Sequence, residues 1–124
     1  MTAWNEVAVL VVRDDERAPL TEVAPWLRET LREWPELDAV LVGVVVGELC
    51  DNARRWGAPP FAVELALDRW MDVLKVSVCD RETGSPRGWR LGAGLLLVDA
   101  LVDRWGVSTK AGATTVWAEV SHRG

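Results

Sequence analysis

Three polar residues continue the apolar face of the longest helical pattern in this sequence. Leu41 and Val45 begin a stripe that, extended in steps of three and four residues, reaches Glu48, Asn52 and Arg55. Burying a carboxylate or an amide without partners is costly. The stripe therefore either emerges into solvent near the end of the helix, where polar groups are usual, or faces a cavity that holds a polar ligand.

Two glycines at the start of another helical pattern could approach a phosphate. Gly92-Ala93-Gly94 comes directly before the apolar run Leu95–Val98. Glycines at a helix start let a ligand approach the backbone, and the free N–H groups there attract anions. The same pattern is also common in plain loop-to-helix turns. The glycines favour a phosphate site only in combination with other signals.

An aspartate at the end of an apolar strand is the third candidate. Asp80 follows the alternating segment Val73–Val78 and precedes a loop that contains Gly84 and Gly88. An aspartate that leaves a strand often forms a turn. In a pocket, the same carboxylate could accept a hydrogen bond from an exocyclic amino group. Both interpretations remain open at this point.

These candidates must be positioned by a series of short elements. Periodicity and turn residues predict helices over Leu20–Trp34, Glu36–Trp56 and Gly92–Trp105, and strands over Ala3–Val12, Phe61–Leu67, Val73–Val78, Gly106–Thr109 and Thr114–Val120. The two middle strands should form an antiparallel hairpin. Because strands and helices do not alternate one for one, a doubly wound parallel sheet is disfavoured. The pattern predicts one α+β domain over residues 1–124, a two-layer sandwich whose mixed, mostly antiparallel sheet carries three helices on one face.

Composition excludes several classes of function. The chain has 124 residues, 49% of them hydrophobic, and a net charge of −5, which argues against nucleic-acid binding. The longest apolar run, Val40–Gly47, is far short of the roughly 20 residues of a membrane span, and no signal peptide is visible, so we expect no membrane insertion and a cytoplasmic location. Cys50 and Cys79 are expected to be buried free thiols. A single histidine, His122, gives almost no support for a histidine zinc site or a Ser-His-Asp triad.

Taken together in their order and spacing, the motifs carry a resemblance to a known family. Glu48 to Arg55, Val78-Cys79-Asp80, Gly92 to Leu95 and Thr115-Val116-Trp117 resemble the GHKL (histidine-kinase-like) ATPase superfamily. The segment GLLLVDALVDRWG and the ending TVWAEV are similar to its short anti-sigma-factor/serine-protein-kinase branch of actinobacterial type. The resemblance covers about residues 20–120. It implies the Bergerat/GHKL ATP-binding fold, with ATP held between the sheet and a variable lid.

The resemblance also implies roles for individual residues. Glu48 corresponds to the glutamate that polarises the attacking nucleophile, and Asn52 to the asparagine whose oxygen binds Mg²⁺, a metal that prefers hard oxygen ligands. The resemblance also implies that Asp80 accepts from the adenine amino group, that Gly92 and Gly94 cradle phosphate, and that Thr115 lies near adenine. Gly84 could do part of the job of the glycine that many members have in an Asp-x-Gly box. Thr115 could equally be an ordinary β-branched sheet residue. Arg55 could reach a phosphate or be solvated.

Some positions depart from the family pattern. Trp56 stands where this branch usually has histidine, and Glu82 stands where many members have a glycine. The lid segment, Arg81–Leu91, is short. A short lid excludes less water and holds the terminal phosphate less firmly. These departures affect catalysis more than nucleotide binding.

Tryptophan is unusually abundant, with eight residues and no tyrosine. Trp26, Trp105 and Trp117 are expected in the core. Trp34, together with Arg28, Arg32 and Pro35, could belong to a docking surface, since tryptophan and arginine are enriched where proteins meet partners. The ring could equally cover an edge of the core.

The resemblance favours an ATP- and Mg²⁺-binding regulator that acts as an anti-sigma factor and serine/threonine protein kinase. Such a protein would bind a sigma factor or similar regulator and phosphorylate an anti-anti-sigma-type antagonist, and it would often form a homodimer. The first alternative is a nucleotide-binding interaction module with weak or no catalysis. The second is a scaffold that keeps the fold without the ligand.

Overall fold

The computed structural model describes residues 6–12, 18–56, 58–68, 72–81 and 93–121. The elements in chain order are β1 Glu6–Val12, α1 Ala18–Thr30, α2 Glu36–Trp56, β2 Ala58–Asp68, β3 Val73–Arg81, α3 Ala93–Leu101, β4 Arg104–Lys110 and β5 Ala113–Ser121. The predicted order of strands and helices is confirmed, and the bounds of α2 agree with the prediction at both ends.

The five strands form a single sheet in the order β1-β2-β3-β5-β4. Every neighbouring pair is antiparallel, including the predicted β2–β3 hairpin. The sheet is therefore antiparallel throughout the described strands, not mixed as the sequence pattern suggested. The connections between strands account for part of this result. The consecutive strands β2–β3 and β4–β5 are joined as hairpins, and strands joined by a hairpin are antiparallel.

The turn between β4 and β5 fixes the register of the second hairpin. Lys110 pairs with Ala113, so Ala111 and Gly112 form a two-residue loop. Their φ angles are +54° and +76°, and positive φ at both positions is what a type I′ turn requires. Glycine adopts such a φ at little cost, while Ala111 is held in a region that side chains disfavour.

The core lies between α2 and the helix-facing side of the sheet. The buried face of α2 consists of Val42, Val45, Val46, Leu49, Cys50 and Ala53. Val40 and Val44, two other valines of this helix, are 58% and 39% exposed. The predicted stripe from Leu41 through Asn52 therefore runs along the flank of the buried face and not along its centre. Successive residues turn by 100°, so the buried face and this flank share only Val45.

Helix α3 ends four residues earlier than predicted. It ends at Leu101, and Trp105 lies in β4 and not in the helix. Asp103 fixes the change of direction, because its N–H donates to Glu119 O at 3.0 Å and its carboxylate accepts from Ser121 N at 2.8 Å. The Trp105 indole N–H donates to Asp99 at 2.7 Å, which ties the strand back to the helix. Trp105 is still packed against the core, from a strand position.

Helix α1 also stops short of its predicted end at Trp34. The chain continues through a turn in which Trp34 N donates to Leu31 O at 2.9 Å. Trp26 and Trp34 are partly buried against the core. Trp34 also borders a small cavity of about 170 Å³ under the end of α1. Of the two interpretations of Trp34, the structure favours a ring that covers an edge of the core.

Both cysteines are free thiols, with Cys50 buried and Cys79 half-buried. The expectation of two buried thiols is thus met fully by Cys50 and in part by Cys79. Among the described helices, none is long and apolar enough to cross a membrane.

Candidate functional site

The topology brings three chain segments to one end of the sheet. Helix α2 ends at Trp56 and β2 begins two positions later at Ala58. Ala58 is paired with Arg81 at the end of β3, and Arg81 is paired with Ala113 at the start of β5. The last turns of α2, the end of β3 and the start of β5 therefore lie at the same end of the molecule. We call this the polar end.

Asn52 contributes a buried amide to the polar end. Its side-chain Nδ2 is inaccessible to solvent and has no hydrogen-bond partner among the residues that the structure describes. The neighbouring positions Leu49 and Ala53 are fully buried, so the amide lies at the boundary between the core and the flank of α2. Leaving a buried donor unpaired costs about 1–3 kcal/mol. The Asn52 side chain is therefore a candidate binding group of the polar end.

Asp80 contributes a buried carboxylate. Side chains along β3 alternate, and Leu74, Val76, Val78 and Asp80 are the buried ones on the side that faces the helices. Asp80 is only 2% exposed. The strand alternation thus carries a charged group to the edge of the core, directly after three apolar residues. A simple surface turn would leave this carboxylate in water.

The residue opposite Asp80 is Thr114, which is also 2% exposed. Side chains of directly opposed residues lie about 4.5–5.5 Å apart at Cβ, so a hydroxyl and a carboxylate share the buried face of the polar end. The predicted site residue Thr115 pairs with Cys79 and lies on the other face of the sheet, away from the helices. The threonine beside Asp80 is therefore Thr114, and Thr115 does not share its face. Alternation counted back from Val120, Ala118 and Val116 could have identified it from the sequence.

Glu48 lies one helical turn before Asn52 and is half-buried. Residues four apart on a helix are separated by about 6 Å along the axis and about 40° around it, so the two side chains share a flank. Glu48 also borders a groove of about 720 Å³ between α1 and α2. We call this the α1–α2 groove; its walls include Val23, Leu27, Leu31, Gly43 and Gly47. A carboxylate at this place is accessible to solvent from the groove and adjoins the polar end.

Arg55 does not face the polar end as an unpaired cation. It is exposed and forms an ion pair with Asp51 at 3.6 Å, one turn earlier on the same helix. Exposed pairs of this kind contribute little to stability. Of the two alternatives for Arg55, solvation is the one observed.

The glycines divide between described and undescribed parts of the chain. Gly94 lies in the first turn of α3. Gly84 and Gly92, together with Glu82 and nearly all of the predicted lid, lie outside the described residues. Helix α3 leads into β4 at Arg104, and Arg104 pairs with Glu119 at the end of β5 opposite to the polar end. The first turn of α3, which contains Gly94, is the part of that helix farther from Arg104 along the chain.

Cys50 is close to Asn52 in sequence but has a different environment. Burial raises the pKa of the Cys50 thiol to about 12, with a further contribution from the nearby Asp51 carboxylate. A thiol with this pKa is protonated at neutral pH and is a poor nucleophile. Cys50 therefore belongs to the packing of α2 and not to the chemistry of the site.

Comparison with solved structures supports the architecture. The chain is similar to the crystal structure of the RsbU and RsbW domains of Rv1364c from Mycobacterium tuberculosis, with a TM-score of 0.69 and 25% sequence identity. The similarity covers 92% of this chain and 32% of that one, so this chain spans about a third of its length. The α+β fold with three helices and an antiparallel sheet is consistent with a GHKL/RsbW-like domain. No protein-family model matches the sequence, and no curated protein matches it.

Proposed function

We propose that this chain is an ATP- and Mg²⁺-binding regulatory protein of the anti-sigma-factor/serine-threonine-kinase type, acting in the cytoplasm. The observation that carries the proposal is the buried Asn52 amide, whose Nδ2 has no partner within the described part of the chain, at the same end of the fold as Asp80 and Thr114. A core that places an amide, a carboxylate and a hydroxyl at one end is suited to a ligand with both donor and acceptor groups.

Adenine recognition is assigned to the strand side of the polar end. The Asp80 carboxylate can accept from the exocyclic amino group of adenine, and the neighbouring Thr114 hydroxyl can donate to or accept from the base. Both groups are almost fully removed from water. Desolvated polar pairs of this kind discriminate strongly against ligands that cannot satisfy them.

Phosphate and metal binding are assigned to the helix side. Within the described residues, no three His, Cys, Asp or Glu side chains are grouped so that they could hold a metal ion. In the proposal, Mg²⁺ would take the Asn52 side-chain oxygen and complete its shell with phosphate oxygens and water, as it commonly does with nucleotides. The Mg²⁺ ion would neutralise charge on the phosphates. The first turn of α3, with Gly94, offers free backbone N–H groups to the same phosphates.

Glu48 is proposed as the general base of phosphoryl transfer. Its position one turn from Asn52 places it near the metal ligand, and its access to the α1–α2 groove leaves room for a substrate hydroxyl. The carboxylate would accept the proton of that hydroxyl as the phosphorus–oxygen bond forms. Glu48 is not needed for nucleotide binding in this proposal, so its role in phosphate transfer can be tested separately.

The proposed partners are a sigma factor or similar regulator and an antagonist protein that receives the phosphate. The similar structure from Mycobacterium tuberculosis carries an RsbU and an RsbW domain in one chain. Such an arrangement is consistent with regulation by exchange between protein partners. We extend that regulatory role to this chain as part of the proposal.

A second candidate is a nucleotide-binding interaction module without turnover. The α1–α2 groove favours it, because this space of about 720 Å³ next to Glu48 is lined mostly by apolar surface. Gly43 and Gly47 lie in the wall of this groove, where a Cβ at either position would meet no atom within 4 Å. An apolar groove between helices is a common docking place for a partner helix, and binding there requires no phosphoryl transfer.

Calorimetry with ATP and ADP, with and without Mg²⁺, tests the nucleotide site. We expect Mg²⁺-dependent ATP binding that weakens at least about tenfold in Asn52→Ala, the equivalent of about 1.4 kcal/mol. Asp80→Asn should lose the binding of adenine nucleotides. The asparagine amide replaces one acceptor oxygen by an NH2 donor, which cannot accept from the adenine amino group. Thr114→Ala should weaken binding, while Thr115→Ala is the matched control and should not. Absence of binding at millimolar nucleotide would refute the nucleotide-site proposal.

Glu48→Gln separates the two candidate functions. In a kinase, this variant should keep the wild-type affinity for ATP and lose phosphate transfer to the antagonist by about two orders of magnitude or more. If wild-type protein binds ATP but transfers no phosphate to any antagonist, the interaction module is the better description.

A further inference from the structure

Helix α2 has two glycines in its middle that the packing within this chain does not require. Gly43 and Gly47 are one helical turn apart, and both line the α1–α2 groove. A Cβ at either position would meet no atom within 4 Å in the part of the chain that the structure describes. Glycine inside a helix lowers stability relative to alanine, because it loses more conformational freedom on folding. No contact among the described residues explains this cost.

The two glycines belong to a longer row along the groove. Ala39, one turn before Gly43, and Asp51, one turn after Gly47, also line it. At 1.5 Å per residue, the row from Ala39 to Asp51 is about 18 Å long. Because the distance between packed helices depends on the side chains at their contact, the small residues of this row let another helix approach α2 closely. The groove therefore fits a helix of about three turns.

Charged side chains line the two ends of the α1–α2 groove. Glu48 and Asp51 lie towards the C-terminal end of α2, where Asp51 also contacts exposed Arg55 at 3.6 Å. Arg28 lies in the last turn of α1, and only residues 31–35 separate α1 from α2, so this arginine is near the start of α2. The groove is therefore acidic at one end, basic at the other and apolar between them.

We propose that the α1–α2 groove binds an amphipathic helix of a protein partner, with basic side chains towards Glu48 and Asp51 and an acidic side chain towards Arg28. The apolar face of that helix lies over Gly43 and Gly47. Charge complementarity at the two ends fixes the direction in which the helix docks. The inference rests on the proposed regulatory role, which supplies a protein partner, and it does not require ATP binding.

The charges of the groove favour a basic partner over another copy of this chain. The chain has a net charge of −5, so another copy brings like charge to the acidic end of the groove. Helix α3 exposes the apolar residues Leu96 and Leu97, but its sequence, AGLLLVDAL, contains no cation to pair with Glu48 or Asp51. A helix with basic side chains beside its apolar face is the better match.

A synthetic peptide of defined sequence pattern tests the groove. The probe is an amphipathic helix of about four turns, with leucines on one face, arginines at one end and glutamates at the other. The matched control peptide has glutamate in place of every arginine. In titrations followed by NMR of isotope-labelled protein, the arginine peptide should bind at least about tenfold more tightly than the control peptide. The shift changes should concentrate on the α1 and α2 residues that line the groove.

Filling the row of small residues should block the site without disturbing the fold. Gly47→Leu is expected to keep the circular dichroism of the wild type, because the space around that position is open, and to bind the arginine peptide at least about tenfold more weakly. Ala100→Leu is the matched control, since it adds a side chain at an exposed position of α3, and it should bind as the wild type does. Asp51→Lys should reduce the preference for the arginine peptide over the glutamate peptide.

Equal affinity for the two peptides would overturn the proposal, as would a Gly47→Leu variant that binds the arginine peptide like the wild type. Absence of binding of either peptide at millimolar concentration would also overturn it. Self-association of the wild type that Gly47→Leu abolishes, without peptide binding, would assign the groove to a second copy instead. ATP calorimetry on the same variants keeps this proposal apart from the nucleotide site, because Gly47→Leu should leave the affinity for ATP unchanged.

Discussion

Asn52 shows how a single side chain can reveal a site. Its buried amide donor has no partner among the described residues, and such a donor lowers the stability of the protein that carries it. In the proposed function, the nucleotide offsets this cost. Asp80 and Thr114 show a related feature, because alternation along two paired strands places both on the buried face. The chemistry of the polar end thus depends on three residues that come from three different elements.

Replacing Asn52 by leucine should separate stability from binding. Without nucleotide, Asn52→Leu is expected to raise the free energy of unfolding by about 1 kcal/mol, because the unpaired donor is removed. Urea unfolding followed by circular dichroism measures the change. The same variant should lose Mg²⁺-dependent ATP binding. A clear loss of stability without nucleotide would mean that the amide is part of a structural network, as in a scaffold that does not bind the ligand.

Gly106 is required by the ring that lies against it. A Cβ at this position would come within 2.7 Å of Trp117 Cζ2 and 2.9 Å of Cε2. Trp117 lies on the sheet face away from the helices, with Lys75 Nζ 5.3 Å from its ring centroid. The expected burial of Trp117 in the core is thus wrong, because its parity in β5 is that of Thr115 and not that of Val116.

Gly106→Val should therefore destabilise the protein by about 1–3 kcal/mol, the usual cost of forcing a well-packed ring to move. Gly47→Ala is the matched control, since a Cβ there meets nothing within 4 Å. In the middle of α2 this change should be neutral or stabilising by up to about 1 kcal/mol. Thermal and denaturant unfolding of both variants measures the difference. Equal effects would show that the contact with Trp117 is not what excludes a side chain.

Cys50 predicts a fall in stability at high pH. Its pKa is raised from 9.0 to about 12 in the folded protein, so the folded state keeps a proton that the unfolded state releases. This contribution to stability is fully present below about pH 9 and is lost as the pH rises towards about 12, at up to about 1.4 kcal/mol per pH unit. The chain has no tyrosine that would ionise in the same range.

Urea unfolding of the wild type and Cys50→Ala between these pH values tests the effect. The alanine variant should be less stable near neutral pH because it leaves a cavity, but its stability should depend less on pH above 9. Parallel pH profiles for the two proteins would exclude Cys50 as the source.

At the scale of elements, α2 links the core to the site. Its central face is fully buried against β3, while its flank carries Glu48 and Asn52 to the polar end. The direct succession of α2 and β2 then fixes the end of the helix beside the start of the hairpin. A shift in the packing of α2 would therefore move the candidate site as well as the core.

The two faces of α2 should respond differently to truncation. Leu49→Ala removes a side chain with no exposure and should cost about 2–5 kcal/mol. Val44→Ala, on the exposed side of the same helix, should change stability by no more than about 0.5 kcal/mol. Denaturant unfolding compares the two variants. A cost at Val44 similar to that at Leu49 would mean that this face of α2 is covered in solution.

The whole molecule couples the polar end to global stability. Because elements from both halves of the chain meet there, a ligand at the polar end binds the folded state and has no equivalent site in the unfolded chain. Binding should then raise stability by an amount that grows with the ratio of ligand concentration to Kd, about 2.7 kcal/mol at a hundredfold excess over Kd.

Thermal unfolding with increasing ATP and Mg²⁺ provides the test. The melting temperature of the wild type should rise with ATP·Mg²⁺ concentration, and the rise should be lost in Asp80→Asn. Val40→Lys, at a position that is 58% exposed and twelve residues before Asn52 on α2, should keep the full shift. A shift of equal size in Asp80→Asn would place the nucleotide elsewhere.

Local patterns in the sequence determined the elements of this protein. Valine alternation, helical periodicity and the proline and glycine boundaries were sufficient for the order of elements, the bounds of α2 and the β2–β3 hairpin, because these depend on residues close in the chain. Asp80 could be selected from its place at the end of an apolar strand. The spacing of Glu48 and Asn52 on one helix flank was likewise a local property.

Only the tertiary structure decided which faces and neighbours these residues have. The side chains at positions 114 and 115 differ by one step in a strand, and their faces are set by the pairing of β5 with β3, some 35 residues earlier in the chain. The end of α3 was decided by the hydrogen bond that Asp103 N–H donates to Glu119 O and the one that the Asp103 carboxylate accepts from Ser121 N–H, although Val102 and Trp105 fit a helical period. The sheet that packs against α2 decided which face of the helix is buried. The sequence of α2 alone did not, because its valines lie on several sides of the helix. Long-range pairing resolves such ambiguities because local propensity assigns similar free energies to the alternatives.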